Sequence, residues 1–182
     1  MTTNPMIGSG EEFVVRVASP SDVDAVSALL RASYPTLLAS GYEAGLLARA
    51  IPFMVQPIPA LLICETWYVA EVPGSPGTLV GCGGWTLAQP GSGAEPADPT
   101  LGHVRHFATR PDYARRGVGR AVFAHCIAGA RGTGVQTFEC QSTLVAEPFY
   151  RALGFERLGL VSVLLGGRID FPVIRMNLRL HT

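Results

Sequence analysis

The chain contains no lysine: all 14 of its basic side chains are arginines. That absence removes phosphate-loop nucleotidases, protein kinases and pyridoxal enzymes, each of which needs a lysine ammonium. Cysteine is scarce. Cys64, Cys82, Cys126 and Cys140 form no Cys-x-x-Cys pair, and no histidine stands at ligand spacing from one, so no metal site is expected. Three of the four lie among apolar neighbours and read as reduced, buried thiols. Charge of one sign is lacking too: 14 acidic residues balance the 14 basic ones, which argues against a general nucleic-acid or membrane-surface binder. No basic stretch with an apolar core opens the chain, so no secretion signal is expected. The most apolar span, "AIPFMVQPIPALLIC", is interrupted by Pro52, Gln56, Pro57 and Pro59 and is too short to cross a bilayer. The expectation is a cytoplasmic protein with neither nucleic-acid nor membrane partners.

What the chain has is apolar residues in quantity, 48% of the total, enough for one sizeable core. Residues 1–10 are small and polar and read as a flexible N-terminus; 11–182 read as a single domain. "FVVRV" (13–17) predicts a strand. "SPSDVDAVSALLRASY" predicts an amphipathic helix with Ser19 or Ser21 as its cap, and a second helix is expected over roughly Tyr42–Ala50. "TWYVAEV" and "TLVGCGGWTL" read as strands joined by "PGSPG", followed by a proline- and glycine-rich surface loop over 88–100. "LGHVRHFAT" (101–109) predicts a strand and the stretch up to about Ala130 a helix, closed by Gly132 or Gly134. That helix has Val118, Val122 and Cys126 on one face, widened by Phe123, Ile127 and Ala130. "VQTFECQ" reads as a strand, "VAEPFYRAL" as a short helix capped by Gly154, and "RLGLVSVLL" and "FPVIRMNLRL" as a closing pair of strands. The order β-α-α-β-β-β-α-β-α-β-β predicts a mixed α/β (α+β) domain on a largely antiparallel sheet.

The stretch "ARRGVGR" (114–120) lies between a strand and a helix. Unpaired amides at a helix start, the helix dipole and glycines that let the backbone come close together make an anion site. A dinucleotide-binding fold fits worse, because Val122 stands in the third glycine's place and no βαβ repeat follows. With its surroundings, "HFATRPDYARRGVGRAVFAHCIAGA", and with "PFYRALGF" further on, the chain resembles the GNAT acetyltransferase superfamily from about Phe13 to Leu180. The opening "VRVASPSDVDAV" also looks like that family's first strand and helix. Aligned on Gly117 and Gly119, the family's Gln or Arg falls on Ala114. A register two residues on fits Arg116, Gly119 and Ala121 but displaces the preceding "RPDY". An asparagine often found before the later helix is here Thr143, which can still cap it.

The resemblance implies helices on both faces of the sheet, splayed central strands and acetyl-coenzyme A as donor, without a metal. Its pyrophosphate would rest on Arg115, Arg116, Gly117, Val118, Gly119 and Arg120. The pantetheine arm would pair with the backbone of Phe107, Ala108 and Thr109. Tyr150 stands where the family's proposed acid tyrosine usually lies, and a phenol can protonate a departing thiolate. His103 stands where several members carry a catalytic glutamate, and an imidazole suits proton removal at neutral pH. Water is the alternative base. Alternation sets His106 on the opposite face of the strand from His103. Glu139 and Glu147 are further acids that could face the acceptor, with a surface placement the better reading for Glu147, and Arg105 either pairs with one of them or lines the strand. Trp67, Tyr68 and Trp85 point to the core or the acceptor. The implied activity is direct transfer of acetyl to an amine, with a small molecule as acceptor; dimers are common in the family. Within the same fold the alternative is an acyl-coenzyme A sensor without turnover.

Overall fold

A computed structural model describes residues 12–89 and 98–180. Seven strands and four α-helices follow one another in the predicted order: β1 (Val14–Val17), α1 (Val23–Leu38), α2 (Ala44–Met54), β2 (Trp67–Glu71), β3 (Leu79–Thr86), β4 (Leu101–Thr109), α3 (Val118–Ala130), β5 (Thr137–Ser142), α4 (Glu147–Ala152), β6 (Glu156–Leu165) and β7 (Ile169–Arg179). The N-terminal residues 1–10 and most of the 88–100 loop lie outside the described residues.

The strands form one sheet in the order β1-β2-β3-β4-β5-β7-β6. β4 and β5 run parallel, with α3 as their crossover, and every other neighbouring pair is antiparallel. Apolar residues fill both faces. α1 and α2 bury Val26, Leu30 and Leu47 against Val69, Cys82, Ala108 and Phe171. On the other face α3 and α4 bury Val118, Val122, Cys126 and Tyr150 against Val80, Phe138 and Met176. β3 is buried on both sides over Leu79–Trp85, and its glycines let the helices sit close. A Cβ on Gly81 would collide with Val118, the first residue of α3.

Ser19 sets the start of the first helical segment. Its amide donates to Asp22 Oδ2 at 2.8 Å in a capping box, and Arg16 grips the same carboxylate at 2.7 and 2.8 Å while also holding Glu71 at 2.9 Å. The Arg16 guanidinium holds the buried Asp22 carboxyl below its ordinary value against the opposing effect of burial. Both leading helices overrun their expected ends. α1 passes through Pro35 to the buried Leu38, and α2 passes through Pro52 to Met54. A proline removes one backbone bond, and apolar packing of the last turn outweighs that loss in each case. Among the described residues no helix is long and apolar enough to cross a membrane.

Candidate active site

β4 and β5 pair only at their beginnings: Leu101 with Thr137, Gly102 with Phe138 and His103 with Glu139. β4 continues to Thr109 and β5 to Ser142, so the two strands part beyond His103 and leave the facing edge of β4 without a β5 partner. On its other edge β4 pairs with β3 through a bulge, the register moving from Gly84 opposite Arg105 to Cys82 opposite Ala108. His106 sits in that bulge at φ +47°, and its carbonyl accepts the Cys82 thiol at 3.3 Å. Strict alternation, which would carry His106 to the face opposite His103, is interrupted there. His106 instead lines a small hollow beneath α1, with Val26, Leu30 and Trp67. The bulge also turns the Phe107 ring toward α3 and α4, where it meets Phe123, Phe149 and Tyr150.

The chain leaves β4 through a 3-10 turn, Pro111–Tyr113, and enters α3 at Gly117. Arg115 and Gly117 hold left-handed backbone at φ +63° and +85°. Ala121 makes the first bond of the helix, to the Gly117 carbonyl at 2.9 Å. The amides of Arg115, Gly117, Val118, Gly119 and Arg120 donate to no acceptor among the described residues. Val118 is buried on the Gly81 surface and anchors the turn while its amide stays open. The two glycines differ in their roles. A Cβ on Gly117 would meet nothing within 4 Å, whereas one on Gly119 would stand 2.9 Å from the Phe149 ring. The absence of a side chain at Gly119 therefore serves the packing of α3 on α4. Arg115 and Arg120 are exposed and pair with no carboxylate among the described residues, but Arg116 pairs with Glu12 and lies over the Tyr113 ring at 4.9 Å. Glu12 thus offsets part of the positive field expected from the loop.

Tyr150, on α4, is buried and ringed by Phe149 and Phe155 at centroid distances of 5.1 and 5.3 Å. Its hydroxyl makes no hydrogen bond among the described residues, and desolvation pushes its pKa well above 10, with smaller effects from Cys140, Tyr34, Cys126 and Cys82. Thr143 does not cap α4 with its side chain; its carbonyl accepts the Ala146 amide at 3.1 Å.

His103 lies at the apex of the splay, in a shallow open hollow lined also by Gln89, Val104, Glu139, Cys140 and Gln141. Burial lowers its pKa below the ordinary 6.5. The Glu139 charge opposes that shift, and Arg105 and Arg175 reinforce it. No hydrogen bond or ring contact joins His103 to Tyr150. Cys140 borders the His103 hollow and also acts electrostatically on the Tyr150 hydroxyl.

The two candidate acids are both engaged. Glu139 Oε2 accepts Arg175 Nε and Nη2 at 2.9 and 2.7 Å, and Glu147 pairs with Arg157 at 3.0 Å. Arg105 therefore pairs with neither acid and donates instead to Thr86 Oγ1 at 3.1 Å. Trp67, Tyr68 and Trp85 are core residues, 2%, 6% and 3% exposed. Sequence reasoning missed Tyr34, buried in α1 with a phenol pushed up by desolvation, and acting on the Tyr150 hydroxyl. At a helical core spacing it carries no signal beyond packing.

Residues 64–157 match the family model described as acetyltransferase (GNAT) domain. Among solved structures, the chain is similar to a GCN5-related N-acetyltransferase from Rhodopseudomonas palustris, at 19% identity over 93% of this chain and 97% of that one, with a TM-score of 0.71. It is also similar to Ard1 from Thermoplasma volcanium, at 17% identity over 94% and 99% of the two chains and a TM-score of 0.62. A third is the PaiA N-acetyltransferase from Thermoplasma acidophilum, solved in complex with coenzyme A, at 13% identity over 92% and 98% and a TM-score of 0.62. No curated protein sequence matches the chain.

Proposed function

Because this chain belongs to the GNAT acetyltransferase family, we propose that it transfers acetyl from acetyl-coenzyme A directly to the amine of a small-molecule acceptor. An acyltransferase that uses a coenzyme A donor is what the family provides; the acetyl group, the acceptor and the residue roles are this proposal. One observation carries it. The unpaired edge of β4, beyond His103, runs into five open amides at the start of α3. An extended arm ending in a pyrophosphate fits that sequence of features, with backbone groups first and an anion-binding helix start after them.

In this reading Phe107, Ala108 and Thr109 offer main-chain groups to the pantetheine arm. The open amides of Arg115, Gly117, Val118, Gly119 and Arg120 face the pyrophosphate, and the exposed Arg115 and Arg120 add charge. The thioester is held in the splay between β4 and β5, and a β4 amide polarises its carbonyl. The neutral acceptor amine attacks the carbonyl carbon, the C–N bond forms and the C–S bond breaks. The proton lost by nitrogen goes to His103, whose lowered pKa keeps it neutral and receptive at pH 7. The departing thiolate takes a proton from Tyr150, which desolvation keeps protonated.

The test is release of free thiol from acetyl-coenzyme A, measured across an amine panel with wild type and Tyr150→Phe. A positioned general acid contributes about 10²-fold or more, so turnover should fall by about that factor while donor binding persists. The lost hydroxyl makes no hydrogen bond, so the variant should fold normally. Equal turnover in the two proteins removes the role of Tyr150. Donor binding with no thiol release by any amine removes the catalytic reading.

A further inference from the structure

Of the chain's arginines, three are partly shielded from solvent: Arg16, Arg105 and Arg110. Arg16 holds Asp22 and Glu71, and Arg110 holds Asp112. Among the described residues Arg105 alone of the three holds no carboxylate. Among the described residues its side chain makes one bond, from Nη1 to the neutral Thr86 hydroxyl, and its Nε and Nη2 side meets no acceptor. A guanidinium withdrawn from water is costly unless its donors are satisfied, and the Nε/Nη2 pair presents two parallel N–H bonds at the spacing of a carboxylate.

The location gives that free fork a purpose. Arg105 stands two residues from His103 on β4, so the two share a face of the strand about 7 Å apart along it. Thr86, which holds Arg105, is the β3 partner of His103. The positive charge of Arg105 is felt at both His103 and His106. Glu139 and Glu147 do not compete for it, since Arg175 occupies Glu139 and Arg157 occupies Glu147. The Trp67 indole donates to the Arg105 carbonyl at 3.2 Å and fixes the backbone from which the side chain projects.

We propose that the acceptor is an amino acid, whose carboxylate is bound by the Nε/Nη2 edge of Arg105 while its amine is held at His103. This rests on the acetyl-transfer reading above and names its substrate class. Arg105 selects the acceptor by charge and shape and takes no part in proton transfer. A lysine at this position keeps the charge but loses the fork.

The experiment uses the intact protein with acetyl-coenzyme A and matched acceptors: free α-, β- and γ-amino acids, their primary amides, and aminoalkyl phosphates of equal length. Free carboxylates should exceed their amides by at least about tenfold in kcat/KM. Arg105→Gln should raise KM for the carboxylates by about 100-fold, change kcat less than about threefold and leave the amides unaffected. Arg105→Lys should fall between them. Amides used as well as acids, or a substitution that depresses both alike, overturns the proposal. Preference for the phosphates reassigns Arg105 to a phosphate and overturns the carboxylate. A binding arm separates this inference from the catalytic reading. With coenzyme A bound, N-acetyl amino acids should raise the melting temperature of wild type and not of Arg105→Gln, while their amides should do nothing. That pattern without thiol release sustains the acceptor site and removes the transfer reading. No such pattern in either arm overturns the acceptor site.

Discussion

Among the groups whose titration should weaken this fold on acidification, His106 can be isolated by substitution. The ring lies beneath α1 beside Val26, Leu30 and Trp67, with the Arg105 charge nearby, and its pKa is lowered from 6.5 to about 4, chiefly by desolvation. The folded-state value lies below the unfolded one, so folding favours the neutral ring. Its contribution is complete above pH 6.5 and is lost as the pH falls toward 4. At pH 5 that linkage amounts to about 2 kcal/mol. This is an upper figure, because the residue is partly exposed and an imidazolium there gains some hydration. For a chain of this size it corresponds to a fall in melting temperature of about 4–8 °C. The control is His106→Asn, since asparagine tolerates the left-handed backbone at φ +47° and does not titrate. Calorimetric scans of both proteins at pH 7.5 and pH 5 isolate the effect, because every other titrating group is common to the two. Wild type should lose about 4–8 °C more than the variant between the two pH values. Equal losses would show that the ring is hydrated in the fold and would refute the reasoning.

His103→Ala should remove the acid limb of the kcat/KM profile, a limb that lies below pH 6.5 in wild type because burial lowers the imidazole pKa; an unchanged profile would assign the proton to water. Gly117→Ala should cost about 1 kcal/mol through its φ of +85°, without any steric clash. Because the added methyl stands in the open space before the amides, acetyl-coenzyme A should also bind about tenfold more weakly in calorimetry. Full affinity would move the pyrophosphate elsewhere.

The element order was legible because each segment carried its own local signal: alternation in β4, the Ser19 cap before α1, and an apolar stripe from Val118 to Ala130 along α3. Features decided by strand register were not. Insertion of β7 between β5 and β6 is a long-range pairing with no local mark, and it is what brings Arg175 to Glu139. The bulge at His106 is equally silent, since a histidine carries no left-handed signal of the kind a glycine gives. It changes the face of every residue after it. In the site, the anion-binding turn could be read from Gly117 at a strand-to-helix junction. The packing role of Gly119 depends on Phe149, thirty residues on. Arg105 reads from sequence as one more strand arginine. Its distinction is the lack of an acid partner among the described residues, which depends on how the fold pairs the other arginines and acids.

The account rests most directly on the claim that the open amides of α3 and the free edge of β4 receive acetyl-coenzyme A. The measurement is the melting temperature with and without acetyl-coenzyme A, with ATP as the control. At about a hundredfold excess over the dissociation constant, linkage gives about 2.7 kcal/mol, or roughly 5–10 °C for a domain of this size. A rise with acetyl-coenzyme A and none with ATP is the predicted result. No rise at saturating acetyl-coenzyme A, or an equal rise with ATP, would contradict it.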